Sequence, residues 1–247
     1  MRKCIVAALV SVVLLVGSQV ARAEDNDTKV SLGVKYAHSD WQLKLSSPGG
    51  DKSFSPGAAE LIGPSIGLKF SSNVFISGTV WMPATDYNID FFPGTPSTGH
   101  ATASRTDTDL IAGYMFIPEL GVYVGYKSVD IKFNSDANEG TGTGAIKGPG
   151  VGIVGRVPLS KSVAFYGNAG WLKMKSSVSG AMATQSIGSV SDYKGLNAEG
   201  GLLFIFGPHA SANWAYKLQS ISGTDGATEI KYTQDFKGVT LGFTYAF

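Results

Sequence analysis

The chain has 247 residues with 20 Lys and Arg against 19 Asp and Glu, and only 16% of them are charged while 43% are hydrophobic. So even a balance excludes a basic nucleic-acid-binding surface, and one cysteine, Cys4, excludes a disulfide framework or thiolate metal site in the body of the protein. Glycine is abundant, at 32 residues without a three-residue period, which excludes a collagen helix.

Arg2 and Lys3 precede the apolar run of residues 5–16, and Ala21-Arg22-Ala23 follows. This is the charged, apolar and small-residue order of a signal peptide, with cleavage expected after Ala23. The run falls short of the roughly 20 residues of a membrane helix and is broken by Gly17, Ser18 and Gln19. Cleavage leaves residues 24–247 as one domain, with 17 basic and 19 acidic residues and no cysteine. Cys4 precedes the apolar run, so lipid attachment there is not expected.

Beyond Ala23 the apolar residues alternate with period two, the spacing of strands with two distinct faces. In chain order the apolar faces are Val30, Leu32, Val34 and Tyr36; Ile62, Ile66, Leu68 and Phe70; and Val74, Ile76, Val80 and Met82, where Phe75 and Trp81 leave the face ambiguous. Next come Leu110, Ala112, Tyr114 and Phe116; Val122, Val124 and Tyr126; Val151, Ile153 and Val157; and Val163, Phe165, Ala169 and Trp171. The last three are Leu196, Ala198, Leu202 and Phe204; Ala210, Ala212, Trp214, Tyr216 and Leu218; and Leu241, Phe243, Tyr245 and Phe247. The opposite faces are small and polar. Pro64 is out of place in a closed ladder unless it lies at a bulge or rim.

Connectors alternate in length. Tight turns at 71–73, 118–120, 159–161 and 207–209 separate long polar stretches near 39–58, 83–105, 133–147, 176–192 and 219–229, which read as external loops. Ten strands, with eight or twelve as the neighbouring even counts, and both chain ends on the short-turn side predict an all-β, membrane-spanning, up-and-down antiparallel barrel. A soluble β-sandwich also has short alternating strands, but its outward faces are charged, whereas here the consistent face is apolar. The signal peptide, the hairpin rhythm over residues 28–247 and the terminal "LGFTYAF" resemble the Gram-negative outer-membrane β-barrels, including the small porin-like and OmpA-like families. That resemblance implies outer-membrane lipids and lipopolysaccharide as surroundings. It also implies recognition of Phe243, Tyr245 and Phe247 by the barrel assembly machinery.

Register places Lys35, Lys69, Asp109, Lys127, Arg156, Asn168, Glu199, Asn213 and Lys217 on the inward face as lumen-lining candidates. Charges there are paired or wet. About eight strands leave an interior that side chains just fill, so a largely filled lumen is expected, with a narrow channel for small polar or anionic solutes as the alternative. Trp171, Trp214, Tyr114, Tyr126, Tyr216 and Tyr245 read as interfacial girdle residues, and Trp41 and the aromatics of residues 88–94 as loop packing.

Three fragments raise catalysis. Asp107 and Asp109 resemble the Asp-x-Asp half of outer-membrane aspartyl-type proteases, without the Asp-x-His that completes it. His209-Ala210-Ser211 resembles the His-x-Ser of outer-membrane lipid hydrolases, but on the turn side. Residues 140–148, "GTGTGAIKG", lack the Gly-Lys-Ser/Thr ending and following helix of a phosphate loop and read as a flexible external loop. The expectation is a non-enzymatic surface or structural barrel without cofactor, metal or nucleic-acid partner, with a small solute or surface ligand open, and with an outer-membrane hydrolase as the least favoured reading.

Overall fold

The computed structural model describes residues 28–90, 100–135, 141–180, 190–226 and 229–247. The expected signal peptide, residues 1–23, and residues 91–94 of the aromatic loop segment lie outside them. Eleven antiparallel strands run β1 (Lys29–Ser47), β2 (Gly50–Lys69), β3 (Val74–Pro83), β4 (Tyr87–Asp90), β5 (His100–Ile117), β6 (Leu120–Ser135), β7 (Thr141–Pro158), β8 (Val163–Gly180), β9 (Asp192–Ile205), β10 (Ala210–Thr224) and β11 (Lys231–Ala246). β1 pairs with both β2 and β11, and β3 pairs with β5, so the sheet closes. The short β4 pairs with β5 beyond the end of β3 and continues the same stave. The wall therefore has ten staves.

The tight turns, the start of β1 and the C-terminal residue gather at one rim. Asn73, with a φ of 63°, turns the chain between β2 and β3, and the Phe70 amide donates to the Val74 carbonyl across 2.9 Å. At the closing seam the Phe247 amide donates to the Val30 carbonyl at 2.9 Å, and the Ala246 amide to the His209 carbonyl at 2.7 Å. The chain is thus ordered to its last residue by its first strand. Pro64 lies where the β2–β3 ladder lapses between the pairs Ile62↔Met82 and Ser65↔Thr79, which suits a residue with no N–H to donate.

The stretches expected to be long external loops are largely strand. β1 and β2, for example, are separated only by Pro48 and Gly49, and the phosphate-loop-like residues from Thr141 to Gly148 are regular β7. Trp41 is likewise a strand residue facing the interior, not a loop aromatic. The cause is an inversion of chemistry along each strand at constant parity. On β6, Gly121, Tyr123, Gly125 and Lys127 point inward and are followed by Val129, Ile131 and Phe133. On the outward face Val122, Val124 and Tyr126 are followed by Ser128, Asp130 and Lys132. Strands β1, β2, β5, β7 and β8 run 18 to 20 residues, well beyond the roughly 9–11 needed to cross hydrocarbon. The turn-proximal half wears apolar residues outside, as a wall in lipid does. The distal half hides them inside, as a wall in water does.

Inward glycines in the turn-proximal half seat aromatic rings from neighbouring strands. A Cβ on Gly170 or Gly152 would overlap the Tyr123 side chain, and one on Gly113 would overlap the ring of Phe75. Gly170→Leu is therefore expected to displace Tyr123 and lower stability by about 1–3 kcal/mol, read as a lower thermal midpoint of the refolded barrel. Deleting Phe247 removes one seam bond and an aromatic that packs on Tyr245 at 5.1 Å. A smaller yield of heat-modifiable barrel is expected on gels of outer-membrane fractions.

Candidate functional site in the barrel lumen

Three inward positions of β5, Arg105, Asp107 and Asp109, stack up one side of the lumen. The Arg105 guanidinium donates to both oxygens of Asp107, its Nε at 2.6 Å. Lys127 of β6 bridges the two carboxylates, with Nζ at 3.3 Å from Asp107 Oδ2 and 2.6 Å from Asp109 Oδ1. Lys217 of β10 reaches Asp109 Oδ2 at 2.8 Å, and the Trp81 indole Nε1 donates to the same oxygen at 3.2 Å. β5 and β10 stand five staves apart in a wall of ten, so this last ion pair spans the lumen. Arg105 also lies 3.7 Å from the ring centroid of Phe236 on β11.

Glu199, directly opposite Lys217 in the β9–β10 register, supplies the third carboxylate for the three cations. It accepts from the Tyr166 hydroxyl at 2.8 Å, which in turn accepts from Asn213 Nδ2 at 2.8 Å. The side chains of Arg105, Asp107 and Lys127 are only 3–4% exposed, against 25% for Asp109 and 18% for Lys217. The cluster is consequently dry on its distal side and wet on its turn side. Buried charges persist only when paired in this way, and leaving one unpartnered costs about 3–5 kcal/mol.

What dries the distal side is an apolar core inside the barrel. Trp41, Val129, Ile146, Met174, Ile221 and Phe236 are all buried within it. Trp41 stacks on Phe236 with centroids 5.6 Å apart and meets Tyr87 edge-on at 5.5 Å. On the turn side lies a cavity of about 110 Å³, lined among others by Lys35, Tyr123, Asn168, Asn197 and Glu199.

The lumen-lining candidates thus separate into groups. Asp109, Lys127 and Lys217 meet in one ion-paired cluster, Glu199 and Asn213 join through Tyr166, and Lys35 and Asn168 line the cavity. Lys69 and Arg156 occupy inward parity but stand exposed at the turn-side ends of β2 and β7. Trp81, Arg105 and Tyr166 were missing from the sequence-derived set. Arg105 continues the Asp107 and Asp109 parity one position further, so extending that strand upstream is the signal that finds it.

The catalytic fragments come out differently from their sequence appearance. Asp107 and Asp109 are not rim carboxylates: Asp107 is 2% exposed and both are held by cations deep in the barrel. His209 Nδ1 lies 2.9 Å from the Ala246 carbonyl and the ring stacks on Tyr245, so it serves the closing seam. Among the described residues no group of three His, Cys, Asp or Glu is disposed to hold a metal ion.

No family model matches the chain, and no curated protein sequence does. Solved structures do. The outer-membrane protease OmpT of Escherichia coli superposes with a TM-score of 0.57 at 12% identity, over 91% of this chain and 98% of that one. OprG of Pseudomonas aeruginosa gives 0.40 at 16% identity over 90% and 96%, and the Yersinia pestis attachment invasion protein Ail gives 0.30 at 14% over 90% and 99%. At such identities the likeness is one of fold and carries no activity with it. The closed ten-stave wall, its apolar outer belt and the first of these superpositions together give the chain the fold of the Gram-negative outer-membrane β-barrels.

Proposed function

We propose that this protein is an integral outer-membrane barrel that neither conducts nor catalyses, and that it acts as a structural or surface protein through its outer wall and distal rim. The observation that carries the reading is the cross-lumen ion-pair cluster of Arg105, Asp107, Lys127, Asp109 and Lys217, backed on its distal side by the Trp41–Phe236 core. In this reading residues 1–23 direct export, and the strand ending in Phe243, Tyr245 and Phe247 is presented to the assembly machinery. The tight-turn rim faces the periplasm and the long strands stand out from the cell. Lipids and lipopolysaccharide of the outer leaflet surround the belt. A solute that entered from the periplasm would meet Lys35 and Glu199 in the turn-side cavity and stop at Asp109 and Lys217.

Planar-bilayer recording of the refolded protein tests this directly: a silent bilayer is expected. Steady anion-preferring current that falls in Lys127→Ala overturns the closed lumen, and peptide cleavage lost in Asp107→Asn overturns the non-enzymatic reading. The cluster also makes a thermodynamic prediction. Asp109→Ala leaves Lys127 and Lys217 without their shared partner and is expected to cost about 3–5 kcal/mol. Adding Lys217→Met to that variant is expected to recover part of the loss, and a double-mutant cycle by thermal or urea unfolding measures the coupling.

A further inference from the structure

Among the described residues, charges on the outward face above the apolar belt are matched across one pair of strands and set like against like across another. Between β1 and β11 the register sets Asp40 opposite Lys237, and Lys44 pairs with Asp235 at 2.9 Å. Between β7, β8 and β9 it sets lysine against lysine: Lys147 faces Lys175, and Lys173 faces Lys194. All four are exposed. Like charges directly opposite each other in antiparallel strands repel at Cβ separations of about 5 Å. Partial relief comes from Asp130, 3.0 Å from Lys147, and from Asp192, which faces Lys175. Lys173 and Lys194 have no acid opposite them.

The height of this arc is as informative as its charge. Lys173 and Lys194 each sit one outward position above Trp171 and Leu196, which are 56% and 39% exposed at the upper edge of the belt. Lys147 lies two outward positions above Val151, 60% exposed, with Pro149 between. A molecule lying against this wall meets apolar surface where its chains run and an ammonium cluster where its head begins. We infer that the β7–β9 arc is a docking site for a phosphorylated glycolipid of the outer leaflet, its phosphates taken by Lys147, Lys173, Lys175 and Lys194 and its acyl chains laid over Trp171, Val151 and Leu196. Phosphate oxygens accept charge-assisted bonds from several ammonium groups at once, and the unmatched lysines are where such a head relieves the repulsion. The inference rests on the outer-membrane reading, with the distal strands facing the cell exterior.

The test uses full-length mature barrel refolded in detergent, its heat-modifiability checked first. A protein that never becomes heat-modifiable refutes the membrane-barrel reading rather than the site. Folded barrel is then titrated with diphosphoryl lipid A, with the same lipid stripped of its phosphates, and with phosphatidylglycerol. Retention is followed by native mass spectrometry and stability by the thermal midpoint. Diphosphoryl lipid A is expected to be retained at least tenfold better than the other two and to raise the midpoint. The variant K147Q/K173Q/K175Q/K194Q is expected to lose that preference while melting, without lipid, at or above the parent temperature. The control K44Q/K231Q/K237Q, on β1 and β11, is expected to keep it. Equal retention of the three lipids, or equal loss in both variants, overturns the site.

Discussion

Every backbone amide and carbonyl that enters hydrocarbon has to find its partner within the chain, since none is offered by the solvent. The β1–β11 and β3–β5 ladders meet that demand by removing both sheet edges. Much else follows from it. Closure fixes which staves face one another, and so places Lys217 across from Asp109. It brings the start of β1 and the C-terminal residue to one rim, where the Phe247 amide bonds the Val30 carbonyl. It also encloses a space that must be filled or watered, and glycines such as Gly152 and Gly170 make room there for the Tyr123 ring from another stave.

The filling is layered by what each level of the wall touches outside. Where the wall is apolar outside, the lumen is polar and retains a cavity; where the wall is polar outside, the lumen holds a packed apolar core. The ion-paired cluster sits at the exchange between the two. Its wet members, Asp109 and Lys217, face the cavity, and its dry members, Arg105 and Asp107, lie against Phe236 and the core. A buried ion pair is weak as a source of stability but strict about its partners. Each charge here restricts which strands can close on which, because a shifted register would strand it without a counter-ion.

The membrane-facing half of the fold was legible in the sequence because its two faces differ so plainly. In the last strand Leu241, Phe243 and Tyr245 alternate with Gly242, Thr244 and Ala246, and the pairing with β1 and β10 follows that alternation to its end. The distal half was hidden by the same rule. On β6 the apolar residues change sides after Tyr126, so Val129 and Ile131 break the pattern that Val122 and Val124 establish, and the strand seems to dissolve into loop. Parity alone points Asp109, Lys127 and Lys217 inward. Their meeting is a property of closure, since 108 residues separate Asp109 from Lys217 along the chain. Arg105 was lost to the same truncation, Asp107 was read only as half of a catalytic pair, and the Phe75 and Trp81 ambiguity arose because both large aromatics point inward, against the small-inside rule.

The ring at which the two faces exchange chemistry also determines where the protein sits along the membrane normal. Moving the barrel outward by one inward–outward residue pair, about 5 Å of height in a tilted strand, would lift Trp171 and Leu196 into water. Moving it inward by the same step would drown Lys173 and Lys194 in acyl chains. Each displacement is opposed on several staves at once, so the exchange ring acts as a waterline. It fixes depth and tilt together.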